Sequence, residues 1–242
     1  MESHQLLCDI NTRLLNGDDV TETERRETTA FFLSQRADAA SLRSNPPRLC
    51  AGGTYSPLFF TPPWPDGKRA RLITGHLPKT GILHANHYEL EVVRLLLLFA
   101  PQNPEVREMA ARTSERLEHT CFGKFCPKGE CVAAGVCALR FYNVHAPGDA
   151  QKRRRLLEPL GKLFLRAGPG RSEWQCQLPV SYFLLALSET QDDMAVGLIR
   201  AKRDWLQRLS MSTKGLAFAA RRALAMLPEC AGLNREPATF NL

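Results

Sequence analysis

In the stretch "HANHYELE", His84, His87 and Glu91 stand at i, i+3 and i+7, so all three share one helical face over two turns. Two imidazoles one turn apart can ligate one metal ion, and a nearby thiolate would complete a donor set suited to zinc. The stretch "CFGKFCPKGECVAAGVC", residues 121 to 137, supplies four of the chain's eight cysteines. Cys131, at the start of the next apolar stretch, is the third ligand expected beside His84 and His87, with Cys121 and Cys126 in reserve on the loop leading to it. The spacing lacks the paired CxxC knuckles that mark structural zinc. Cys137 falls six residues after Cys131, about 240° round a helix, and reads as a small core hydrophobe.

Two further uses of these residues stand beside zinc. Cys131 near a helix start would have a lowered pKa and could act as a thiol nucleophile with His84 or His87 as base. Glu130 works against that, because a neighbouring carboxylate disfavours the thiolate. The plainer alternative is that a histidine pair at a helix start hydrogen-bonds and packs, which is its commoner use because HxxH alone is unspecific.

The elements that must position these side chains are helices. One from about 2 to 15 ends at Asn16-Gly17, and Thr21 to Glu24 forms a capping box for another from about 21 to 41. Asn103 as N-cap and Pro104 as first helical residue open a helix to about 120, closed by Gly123. Asp149 opens one that Gly168-Pro169-Gly170 stops, and Thr190 caps one to about 209. Between these amphipathic helices lie stretches that are apolar nearly all round, the mark of an interior helix: "HANHYELEVVRLLLLFAP", "GECVAAGVCALRFYNVHAP", "QLPVSYFLLALSE" and "TKGLAFAARRALAMLPE". Their ends recur at a helix-pair period of about 40 to 46 residues.

Residues 45 to 82 interrupt this rhythm with seven of the sixteen prolines, and Pro65-Asp66-Gly67 could turn a short hairpin. Tyr55, Phe59, Phe60 and Trp64 favour an ordered cap over a bare linker. The chain therefore divides into an N-terminal helix pair (1–44), an irregular Pro-rich cap or linker (45–82) and a helical-repeat core (83–242).

Over residues 84 to 228 the alternation of inner apolar and outer amphipathic helices resembles the α/α-toroid of terpenoid cyclases, protein prenyltransferase β-subunits and lanthipeptide cyclases. The expected fold is all-α, with repeated helix hairpins forming a partial or complete toroid. The resemblance implies a pocket lined by the N-terminal turns of the inner helices, which would gather His84, His87, Glu130, Cys131, Trp174 and Cys176. Asp192-Asp193 matches neither the DDxxD nor the DxDD motif of terpene cyclases and reads as a helix cap.

Bulk properties narrow the function classes. The start lacks a basic segment followed by an apolar one, so no signal peptide is expected, and eight cysteines then suggest thiols in a reducing cytoplasm. The most apolar run, "VVRLLLLFA", is too short to span a bilayer and contains Arg94. No glycine-rich phosphate loop, serine elbow or dinucleotide fingerprint occurs. The expectation is a cytoplasmic enzyme or small-molecule-binding protein, using His84, His87, Glu91, Glu130 and Cys131, with or without zinc, on an apolar or prenyl-like ligand. The competing expectation is a helical scaffold that binds a protein or nucleic acid through a basic surface including Lys152, Arg153, Arg154 and Arg155, in a chain of net charge +7.

Overall fold

The computed structural model describes residues 2–37, 57–78, 81–120, 130–166, 179–211 and 215–233. Among these residues all regular structure is helical: ten α-helices, two 3₁₀ turns and no strand. The helices are α1 (Ser3–Asn16), α2 (Glu22–Ser34), α3 (Gly81–Phe99), α4 (Pro104–Glu118), α5 (Glu130–His145), α6 (Ala150–Arg166), α7 (Val180–Ser188), α8 (Asp193–Ala201), α9 (Arg203–Ser210) and α10 (Gly215–Leu224). No described helix is long and apolar enough to cross a membrane.

Local chemistry sets several helix ends. Gly17 stops α1 with φ of 78°, and its N–H closes back on the Arg13 and Leu14 carbonyls, a conformation that glycine adopts at no steric cost. Thr21 and Glu24 form the reciprocal capping box of α2. The Asn103 side chain accepts from the Glu105 and Val106 N–H groups at the start of α4, where Pro104 has no N–H to leave unpaired. The stretch expected as one helix from Thr190 to about 209 differs: Asp192 is the cap, accepting from Met194 N–H, while Thr190 bonds back to the Ala186 carbonyl. That stretch also breaks at Lys202, with α8 packed on α6, α7 and α10 and α9 packed chiefly on α10. The helix read to residue 41 ends earlier, at Ser34, where the Gln35 N–H closes back on the Phe31 and Phe32 carbonyls. Gly123 and the stop at 168–170 lie outside the described residues.

Helices α3, α5, α7 and α10 pack in succession, and α1 lies against α3. Every described side chain of α3 from Leu83 to Leu96 is buried, as is α7 from Val180 to Leu187. Such helices earn their place through tertiary packing, at about 1.5–3 kcal/mol per large apolar side chain buried. Tyr182, at the start of α7, meets His87 and Glu91 in α3, whereas Glu189 at its end meets Arg94, so the two helices run in the same sense. Asn143, late in α5, bonds the Ala186 carbonyl and Thr190 at the end of α7, which gives α5 that sense too.

The described part of the cap, residues 57–78, lies on α3. Phe59, Phe60, Leu72 and Ile73 are buried, and the Ala37 N–H after α2 donates to the Phe59 carbonyl. The hairpin read at Pro65-Asp66-Gly67 is replaced by a single 3₁₀ turn. A second turn follows, with the Leu72 N–H bonded to the His76 carbonyl and Gly75 at φ of 79°. Extended strands are not needed here, because the backbone donors of the cap are taken by side chains of α3.

Candidate functional site

His84 and His87 do share one face of α3, and each is spent on the cap. His84 Nε2 accepts from the Ala70 N–H and His87 Nε2 from the Ile73 N–H, both at 3.1 Å. Each ring therefore carries its proton on Nδ1, and the lone pair that a metal would use is occupied. Burial, and then the charge of Arg69, lowers the His84 pKa to about 4; burial lowers that of His87 to about 3 against the attraction of Glu91. The two rings also have aromatic neighbours, Trp64 against His84 at 4.8 Å and Tyr182 against His87 at 5.2 Å between centroids.

As placed, these donors do not fit a shared zinc site, and the Nε2 lone pair that either ring would use as a base is already engaged, while the buried Nδ1 of His84 has no hydrogen-bond partner among the described residues. Among the described residues no group of three or more histidine, cysteine or acidic side chains is arranged to hold a metal ion. Glu130 and Cys131 begin α5, but their side chains, like Cys121, Cys126, Trp174 and Cys176, lie outside the described residues. Cys137 is buried in the core, where burial pushes its thiol pKa up, and burial raises that of Cys8 to about 12.

Glu91, the third residue of the face, leads elsewhere. Its Oε2 pairs with Arg140 Nη1 at 2.6 Å, and Tyr182 donates its hydroxyl to Oε1. Arg140 is fully buried and uses its other edge on Glu189, Nε to Oε2 at 2.8 Å and Nη2 to Oε1 at 3.0 Å. Asn11 of α1 accepts from Nη1 of both Arg94 and Arg140, and Arg94 Nη2 lies 3.5 Å from Glu189. Burial alone would raise the Glu91 pKa, but Arg140 and Arg94 hold it down at about 2.

This network forms part of the wall of a pocket of about 270 Å³. The pocket is lined by Leu14 and Leu15 of α1, Leu98 of α3, Asn143 and Val144 of α5, Glu189 after α7 and Arg222 of α10, together with Arg94 and Arg140. Leu14, Leu15, Leu98, Asn143, Val144 and Arg222 are in the last turns of their helices, so five C-terminal ends converge. The pocket therefore lies toward the opposite end of these helices from His84, where the resemblance had placed it.

The basic run makes contacts within the fold, with Arg154 and Arg155 still exposed. Lys152 pairs with Glu118 at 2.6 Å, and Arg155 donates to the Glu118 and Thr120 carbonyls. Buried Arg153 donates to the carbonyls of Ala146 and Pro147, while Arg154 approaches Asp192 at 3.7 Å. All four cations thus tie α6 to its neighbours.

Comparison of the chain with protein-family models, curated proteins and solved structures gives no match.

Arg140, Glu189, Asn11, Tyr182 and Arg222 were missed by reading motifs, although the sequence carried a sign of them. Arg94, Arg140 and Arg222 each place a cation in a mostly apolar stretch. A charge in an interior helix must find a partner, so these arginines predict acceptors on neighbouring helices.

Proposed function

We propose that this chain is a small-molecule-binding protein in which α1, α3, α5, α7 and α10 form the inner wall of an α/α-toroid, with the ligand site at their C-terminal ends. The observation that carries this reading is the pocket into which five inner helices each contribute a side chain and whose wall is an ion-pair network. Buried ion pairs add little net stability over a well-packed apolar core. A network of this size beside a cavity is better accounted for by recognition than by stability. The α1 helix supports ring closure, since its Leu15 carbonyl accepts from Arg222 of α10 at 3.1 Å and its Asn11 reaches α3 and α5.

The test is a thermal-shift screen of small molecules on the full chain and on Leu98→Trp. Leu98 is 38% exposed at the pocket rim, so an indole there fills the pocket without disturbing the core. Compounds that raise Tm in the parent protein are expected to lose their effect in Leu98→Trp, whose own Tm stays within a few degrees. Equal responses in both proteins, or no response to any compound, would overturn the reading.

A further inference from the structure

The pocket's charges are unequal. Three guanidinium groups, Arg94, Arg140 and Arg222, and the Glu189 carboxylate line the pocket, a second carboxylate, Glu91, stands behind the wall, and Arg140 is saturated by both carboxylates. Arg94 lies between Glu91 at 3.8 Å and Glu189 at 3.5 Å, and its Nε, although buried, has no hydrogen-bond partner. The surplus falls on Arg222. Among the described residues it has one hydrogen bond, from Nη1 to the Leu15 carbonyl, and no ion pair within 4 Å. Burial lowers its pKa despite the attraction of Glu189, the sign of a cation short of countercharge.

The C-terminal dipoles of the inner helices act in the opposite sense. Three carbonyls at these ends are, however, already engaged. The Leu15 carbonyl holds Arg222, the Leu14 carbonyl accepts from the Gly17 N–H, and the Ala186 carbonyl accepts from Asn143 and Thr190. A full uncompensated charge outweighs such capped partial ones. Apart from Asn143, whose amide is engaged by the Ala186 carbonyl and Thr190, the rest of the lining is apolar, from Leu14, Leu15, Leu98 and Val144.

We infer that the ligand of this pocket is a small monocarboxylate with a short apolar tail, its carboxylate paired with Arg222 and its tail on the leucine and valine wall. The inference rests on the pocket reading above and names the ligand class. One negative charge matches the one surplus positive charge. The volume, at the small end for a ligand site, matches a tail of a few carbons.

The experiment is calorimetric titration of the full chain, in parallel with thermal shift, using sodium butyrate, butyramide, n-butylammonium chloride and sodium chloride at matched ionic strength. Sodium butyrate alone is expected to bind saturably. Arg222→Gln should weaken butyrate by at least about tenfold, as expected for loss of a charge-assisted hydrogen bond, and Arg222→Lys should recover part of the loss. Leu98→Trp should abolish binding, and it serves where Arg222→Gln fails to fold. Butyrate binding indifferent to both substitutions overturns the inference. Binding of butyramide or butylammonium that Leu98→Trp removes also overturns it, while leaving the pocket as a ligand site. No binding by any probe overturns the inference; the pocket itself is then decided by the wider screen.

Discussion

Arg140 is the residue on which the interior depends. Its guanidinium meets Glu189 along one edge and Glu91 and Asn11 through Nη1, so side chains of three other helices converge on one planar group. Lysine could not replace it, because an ammonium on a flexible stem cannot hold two carboxylates in fixed geometry. Arg140→Gln would leave Glu91 and Glu189 with Arg94 as their shared ion-pair partner. Removing one partner of a buried pair costs about 3–5 kcal/mol, so urea denaturation should show a loss of that size, with Arg140→Lys nearly as damaging. A loss below about 1 kcal/mol would mean that water reaches this network and that the pocket wall is not preorganised. The residue scale also shows why His84 and His87 looked like ligands. Their spacing on one face was legible, whereas their partners are backbone N–H groups fourteen residues upstream, which no side-chain pattern announces.

At the scale of elements, α3 anchors the cap through one more carboxylate. Glu89 is fully buried, and its Oε2 accepts from the N–H groups of Leu58, Phe59 and Phe60 at 2.7, 2.9 and 3.1 Å. These bonds take the place of the ladder that a strand would have supplied. Glu89→Gln keeps the shape but removes the charge and turns an amide NH₂ toward backbone donors. At about 1.5–3 kcal/mol for a hydrogen bond to a charged group, the variant should lose roughly 3 kcal/mol. Limited proteolysis should then cut within residues 57–78 before the helices open. Simultaneous cleavage of cap and helices would show that the cap is not a separate cooperative unit. The same contrast explains what was legible in the sequence. Thr21 with Glu24, Asn103 with Pro104, and Gly17 mark helix ends through bonds made within a few residues. The break at Lys202 and the missing hairpin depend on which surfaces lie opposite, and those surfaces come from remote parts of the chain. Wholly buried and half-exposed helices were legible from periodicity, but the end at which a pocket forms was not. It follows from where the arginines of three helices meet their acceptors.

Across the whole molecule these buried groups share one response to acid. In the unfolded chain His84 and His87 take up protons below pH of about 6.5, but folded they resist down to about 4 and about 3. Stability falls wherever the unfolded state binds more protons, so it is fully present above about pH 6.5 and declines as pH drops below that value. The slope reaches about 1.4 kcal/mol per pH unit for each such histidine. His76 and His145, whose pKa values burial also lowers, act in the same direction. Below about pH 4.5 Glu91 joins them, because its folded pKa of about 2 lies under the ordinary carboxylate value. The urea midpoint should therefore be flat between about pH 7 and 8 and fall steadily from pH 6.5 to pH 4; above about pH 8.5 the buried thiols of Cys8 and Cys137, which resist ionisation in the fold, lower it again. The double variant His84→Gln, His87→Gln supplies an amide oxygen to each cap N–H without a titrating ring, so its curve should be much flatter between pH 6.5 and 4.5. A parent protein with a level profile over that window would show that the two rings can accept protons while folded, and hence that the cap swings away from α3 far more easily than its hydrogen bonds imply.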